Sequence, residues 1–140
     1  MSVLSVEELI TNLKYSKESP LRVYLGAAAG VGKTYRMLQD GNFLLSRGVD
    51  VVIGYIEPHR RPETSAQVGR LKEIPRRKVE YKGVAMEELD LDAVLARKPQ
   101  VVLVDELAHT NAPGSKNAKR WQDVESLLAA GIAVFTTVNV

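Results

Sequence analysis

The chain of 140 residues contains no cysteine. That absence excludes disulfide frameworks, thiolate zinc sites and thiol nucleophiles together, and it fits a reducing compartment. Long hydrophobic runs are missing as well. The longest covers residues 127–135 and is broken by Gly131, whereas a bilayer span needs about 20 apolar residues. The N-terminus has neither the basic n-region nor the apolar h-region of a signal peptide. Charge of one sign is scarce: 19 Lys and Arg stand against 17 Asp and Glu, a formal balance of +2. That is too small to argue for nucleic acid, and the Arg60-Arg61 and Arg76-Arg77-Lys78 clusters read as solvated loops. No internal repeat or low-complexity tract is found. With 45% hydrophobic and 26% charged residues, the chain is expected to work in solution, without membrane contact of its own, as a globular domain with a sizeable core.

What is present is concentrated in residues 26–34, Gly-Ala-Ala-Ala-Gly-Val-Gly-Lys-Thr. They follow the apolar run Leu21–Leu25 and precede the helix-forming Tyr35–Asp40. A strand, a glycine-rich turn and a helix opening on Lys-Thr make a phosphate cradle. Its backbone N–H groups, from Ala27, Ala28, Ala29, Gly30, Val31 and Gly32, would converge on a nucleoside triphosphate. Lys33 would reach the outer phosphates, and the Thr34 hydroxyl would ligate Mg²⁺. The pattern G-x-x-x-x-G-K-[ST] departs at its first position, where Ala27 stands and Gly26 comes one place early. That position mainly turns the strand into the loop, a task a methyl group tolerates.

Strand and helix signals alternate along the rest. Residues 6–13 read as an amphipathic helix capped by Ser5, within an N-terminal extension spanning 1–18; the nucleotide-binding domain is expected over 19–140. Strands are expected at 21–26, 49–56, 78–81, 101–104 and 132–138. Helices are expected at 33–47 with Gly48 closing the first, then 66–74, 92–97 and 118–130. In the last helix Trp121, Val124, Leu127 and Leu128 are expected to share a face. Unbroken apolar strands suit a parallel sheet buried on both sides. The expected fold is α/β, a three-layer sandwich with a mainly parallel sheet, P-loop NTPase-like, with ligands at the strands' carboxyl ends. An open sheet ending on the strand at 132–138 suggests a piece of a longer chain.

The apolar strand 101–104 runs into Asp105-Glu106. Asp105 would hold Mg²⁺ opposite Thr34, and Glu106 would orient or deprotonate an attacking water or hydroxyl. Glu57, His59 and Arg61 follow the second strand, and Thr136, Thr137 and Asn139 lie on the last, all at the expected nucleotide edge. The loop from His109 to Ser115, flanked by Lys116, Lys119 and Arg120, has the makings of a mobile basic lid. Neither His59 nor His109 has a metal-ligand partner at useful spacing.

Five stretches together, Gly26–Leu38, Asp105–His109, Asn111–Ser115, Lys119–Val124 and Thr136–Val140, closely resemble the N-terminal domain of the osmosensitive potassium sensor kinases of the KdpD family. The segment Glu57-Pro58-His59-Arg60 looks like the family's Glu-x-His-Gly, with Arg60 in place of the glycine. The resemblance implies a cytoplasmic ATP-binding domain of a membrane-bound sensor histidine kinase. It would modulate the kinase and phosphatase activities of a distant transmitter that acts on a response regulator. The phosphoaccepting histidine would lie in that transmitter and is neither His59 nor His109. Against this regulatory reading stands an active phosphotransferase or NTPase acting on water or a hydroxyl. A protein-interaction module is the third possibility.

Overall fold

Apolar runs bounded by glycine or acid become the central strands, and the amphipathic stretches between them become the covering helices. The computed structural model describes residues 5–15, 19–26, 32–58 and 60–140. In chain order the elements are α1 (Val6–Tyr15), β1 (Leu21–Gly26), α2 (Lys33–Ser46), β2 (Val51–Tyr55), α3 (Pro62–Ala66), β3 (Lys72–Glu73), β4 (Arg77–Tyr81), β5 (Val84–Glu88), α4 (Leu91–Arg97), β6 (Val101–Val104), α5 (Arg120–Ala129) and β7 (Ala133–Asn139). Five strands form one sheet in the order β1-β7-β6-β2-β3, every pairing parallel. The strands β4 and β5 make a separate antiparallel hairpin.

Alternation along the strands divides the core in two. Ile53, Leu103 and Phe135 pack with Met37, Leu38 and Leu44 of α2 and Leu9 of α1. Val52, Val102, Val104 and Val134 pack with Val94 of α4 and Val124 and Leu127 of α5. The sheet therefore lies between two helical layers. Ser5 accepts a hydrogen bond from Glu8 N at 3.1 Å, as an N-cap should. Gly48, at φ 86°, follows the end of α2 in the left-handed conformation that glycine admits.

Three expectations change. Residues 66–74 do not form a helix: α3 is already under way at Pro62, a residue suited to a helix's first turn, and ends at Ala66. Gly69, at φ 54°, turns the chain into β3. The three-residue spacing of Val68, Leu71 and Ile74 serves a crossing from one core to the other, with Val68 and Leu71 on the α2 side and Ile74 on the α5 side. The strand expected at 78–81 is half of a hairpin, because Lys82 and Gly83 both take positive φ, 51° and 77°, and fold β5 back onto β4. Trp121 does not join Val124 and Leu127 in the core; it is 47% exposed.

Candidate functional site

The parallel sheet delivers the carboxyl ends of β1, β7, β6 and β2 to one edge, where the first turn of α2 begins. A cavity of ≈ 400 Å³ opens there. Lys33 and Thr34 of α2, Glu57 and Arg61 after β2, Asp105 and Glu106 after β6, and Thr137 and Asn139 of β7 line it. Residues 27–31, the rest of the phosphate loop predicted from sequence, and His59 lie outside the described residues. Gly32, at φ 71°, precedes the helix.

Asp105 organises this edge. It is almost fully buried, and it accepts hydrogen bonds from three directions. The Thr34 hydroxyl donates at 2.9 and 3.1 Å to its two oxygens, the Thr137 hydroxyl at 2.9 Å, and the Glu57 backbone N–H at 2.9 Å. Burial pushes its proton affinity up, and these donors pull it back. Its own N–H donates to the Tyr55 carbonyl, which continues the β6–β2 pairing one residue beyond the strand. The tip of β6 is thereby tied at once to α2, β7 and the loop after β2.

Glu106 takes a left-handed backbone, φ 61°, a conformation that costs a non-glycine residue free energy and calls for restraint by its surroundings. The Thr137 hydroxyl accepts from its N–H at 3.0 Å, and the Leu107 N–H donates to the Thr137 carbonyl. The Glu57 carboxyl, hydrogen-bonded to that of Glu106, and partial burial push Glu106 up to about 7, against the pull of Arg120. Two carboxyls side by side cannot both ionise cheaply.

Lys33 is buried, and its stem runs across Gly26. A Cβ at Gly26 would stand 2.7 Å from both Cγ and Cδ of Lys33. The glycine one place early for the phosphate-loop pattern thus has its own use here, since a side chain at this position would have to displace the lysine stem.

Beneath the cavity lies Arg120, expected as a flank of the basic lid and found instead on the buried side of α5. Its side chain is 0% exposed. It donates from Nη1 to the Asp105 carbonyl at 3.1 Å, stands 3.7 Å from Glu106 and 3.5 Å from buried Glu88, and covers the Tyr55 ring at 3.9 Å. Glu88 also meets His109 Nε2 at 2.7 Å, so His109 is tied into this framework. The signal that could have revealed Arg120 is its place four residues before Val124 and seven before Leu127, on the buried stripe of α5.

The expected lid is fastened elsewhere. Asn111 and Ala112 are buried. Asn111 and Asn117 both donate to Asp123, at 2.8 and 2.9 Å. Lys116 pairs with Asp92 and Lys119 with the Thr110 hydroxyl. None of residues 109–120 lines the cavity. Thr136 faces the α5 layer, while Thr137 and Asn139 reach the site.

A parallel sheet between two helical layers, with lysine, hydroxyl and carboxylate groups gathered at its carboxyl edge, defines an α/β domain whose candidate site lies at that edge. The family model described as "KdpD: Osmosensitive K+ channel His kinase sensor domain" matches residues 17–140. "Sensor protein KdpD" of Mycobacterium tuberculosis (strain H37Rv) is 58% identical over 125 residues, 89% of this chain and 14% of that protein. "Sensor protein KdpD" of Escherichia coli K12 is 53% identical over 120 residues, 86% of this chain and 13% of that protein. "Putative sensor protein KdpD" of Synechocystis is 51% identical over 119 residues, 85% of this chain and 32% of that protein. The chain belongs to the KdpD osmosensitive sensor-domain family. It spans about a seventh of the length of the M. tuberculosis relative. Among the described residues no helix is long and apolar enough to cross a membrane.

Proposed function

We propose that this domain binds ATP with Mg²⁺ and acts as a regulatory element of a larger potassium and osmotic sensor kinase. One observation carries the reading. The Thr34 hydroxyl and Asp105 carboxylate meet at 2.9 Å in the same cavity as Lys33, the juxtaposition a nucleotide phosphate and its cation require. Hard oxygen donors such as these suit Mg²⁺. Mg²⁺ keeps several of its waters and arrives on the phosphates, so one carboxylate and one hydroxyl suffice to receive it. Bound there, Mg²⁺ would neutralise phosphate charge. Lys33 would hold the outer phosphates, and Thr137 and Arg120 would keep Asp105 and Glu106 in place.

Regulation then follows from differential affinity. A nucleotide that prefers one arrangement of the sensor tenfold shifts that equilibrium by about 1.4 kcal/mol, and one without preference shifts nothing. In this reading the domain lies in the cytoplasm, its partners are the other domains of a membrane-bound sensor chain, and a response regulator is reached through the transmitter. Calorimetric titration with ATP, ADP and GTP, each with and without Mg²⁺, tests the binding. Lys33→Ala should lose ATP affinity and keep the wild-type circular dichroism. Equal ATP affinity in both proteins would sink the assignment.

A second reading, an active phosphotransferase or NTPase, draws on Glu106. Its carboxyl lines the cavity beside Asp105 and titrates near neutrality, as a general base should. Turnover that Glu106→Gln abolishes while binding persists would establish it. Absence of turnover with water or any protein hydroxyl acceptor would leave the regulatory reading alone.

A further inference from the structure

At the carboxyl edge, Lys33, Arg60 and Arg61 line the cavity against the carboxyls of Glu57, Asp105 and Glu106. The three acids are taken up within the protein. Asp105 receives its donors from Thr34, Thr137 and the Glu57 N–H, and the Glu57 and Glu106 carboxyls hydrogen-bond to each other. Lys33 lies buried across Gly26. Arg60 donates from Nη1 to the Glu57 carbonyl at 3.3 Å and holds Nη2 3.8 Å from Glu73, so its guanidinium is turned to the backbone and to β3. Arg61 differs. It is exposed, and among the described residues it has neither a hydrogen bond nor an ion pair. A lone arginine is ordinary on an open surface. Here two carboxyls line the same cavity and pair with each other instead of with it.

The backbone that carries Arg61 is pinned on both sides. Before it, the Glu57 N–H donates to Asp105 at 2.9 Å. After it, Pro62 fixes the entry to α3, and the Ser65 N–H donates to the Arg61 carbonyl at 3.0 Å. The far end of α3 is tied to α2, where Asn42 donates to the Gln67 carbonyl. Thr64, three residues on from Arg61, is buried and lines the cavity as well. Side-chain rotation on a fixed base therefore sets where the Arg61 guanidinium lies.

The nucleotide reading supplies what it would meet. A cation held between Thr34 and Asp105 bridges the two outermost phosphates. Lys33, crossing the end of β1, flanks that point on one side. The loop after β2 flanks it on the other, because β7 and β6 lie between β1 and β2 in the sheet. On that second side Glu57 and Glu106 would face a terminal phosphate with like charge. Arg61 is the group there that offsets them, and its guanidinium can fork onto two phosphate oxygens.

We infer that Arg61 recognises the terminal phosphate of the bound nucleotide, so that the site takes a triphosphate in preference to a diphosphate. The inference rests on the nucleotide reading above and deepens it. Loss of one phosphate would release Arg61 while Lys33, Thr34 and Asp105 keep their partners. The segment between β2 and α3 is then the part of the domain that distinguishes ATP from ADP, and differential contact of this kind is what a regulatory ligand needs.

Calorimetry on the protein and two variants tests the inference, with the hydrolysis-resistant β,γ-imido analogue of ATP and with ADP, each with Mg²⁺. Arg61→Gln should weaken binding of the analogue about tenfold and leave ADP affinity unchanged. Arg70→Gln removes the same charge from the exposed turn after α3, outside the cavity, and should preserve the ratio of the two affinities. Unchanged analogue affinity in Arg61→Gln, or equal losses for the analogue and ADP, would overturn the inference while the nucleotide reading stands. The same fall in ratio from Arg70→Gln would overturn it too, by assigning the effect to net charge. A wild-type protein that binds neither ligand would remove the nucleotide reading, and this inference with it.

Discussion

Arg120→Met takes the guanidinium out from under the cavity and leaves Glu88, 4% exposed, with His109 Nε2 at 2.7 Å as its remaining partner. Removing one partner of a buried ion pair costs about 3–5 kcal/mol, because the remaining charge stays desolvated. Loss of the Tyr55 contact at 3.9 Å and of the hydrogen bond to the Asp105 carbonyl acts in the same direction. Two effects oppose it. The Nε and Nη2 atoms of Arg120 are buried without a hydrogen-bond partner, a burden that methionine relieves, and the thioether regains contact with the ring. The expected net loss therefore stays within the range for the broken pair. With a urea slope of about 2 kcal/mol per molar, the unfolding midpoint should fall by roughly 2 M. The double variant Arg120→Met/Glu88→Leu removes both charges and should recover most of that loss, as apolar replacements of whole buried pairs often do. A single-variant shift below about 0.5 M, or a double variant no more stable than the single, would refute the reasoning. Either result would mean that Glu88 does not depend on Arg120.

Three further substitutions probe the site and its frame. Gly26→Ala places a methyl group 2.7 Å from the Lys33 stem; by calorimetry it should weaken ATP binding about tenfold, 1.4 kcal/mol, with the fold retained, and unchanged affinity would show that the stem yields without moving the ammonium. Thr137→Val removes both the donor to Asp105 and the acceptor for the Glu106 N–H. It should cost about 1–3 kcal/mol in urea unfolding, and a negligible cost would mean that neither bond matters. Asp90→Ala removes the side chain that caps α4 through the Ala93 N–H at 3.0 Å and should lower stability by about 1 kcal/mol. Thermal melts measure that difference, and an unchanged melting temperature would count against the cap.

The central strands were legible because they are buried on both faces and so read as unbroken apolar runs, 101–104 residue for residue; the outer strand 21–26, only partly buried, also matches because Gly26 ends its largely apolar run. The carboxyl-edge grouping of Lys33, Thr34, Asp105 and Glu106 was legible for a related reason, since a parallel sheet brings the end of each strand to one side. Elements that depend on single turn residues were not. Lys82-Gly83 sets up a hairpin only because Lys82 accepts a positive φ, and lysine does not advertise that. Spacing of three also failed at 66–74, where the apolar residues serve two different cores in succession. Arg120 was misread for its charge. In a loop of lysines it looks solvent-facing, yet its helical register with Val124 and Leu127 places it inside, where Glu88, Tyr55 and the Asp105 carbonyl receive it.

The parallel pairing of β1 with β7 sets an order of assembly. Leu21 pairs with Val134 and Gly26 with Asn139, so more than a hundred residues of chain must close before either strand gains its neighbour. Loop-closure entropy for such a separation is about 4 kcal/mol before the constant term, and contacts of that span slow folding. On a ribosome, residues 21–34 emerge early but wait for the end of β7 before Gly26, Lys33 and Thr137 share one edge. Until then residues 21–25 are an unpaired apolar strand, open to wrong partners and to chaperones. In the proposed reading, nucleotide competence would then wait for β7 to be made, however early the phosphate loop emerges.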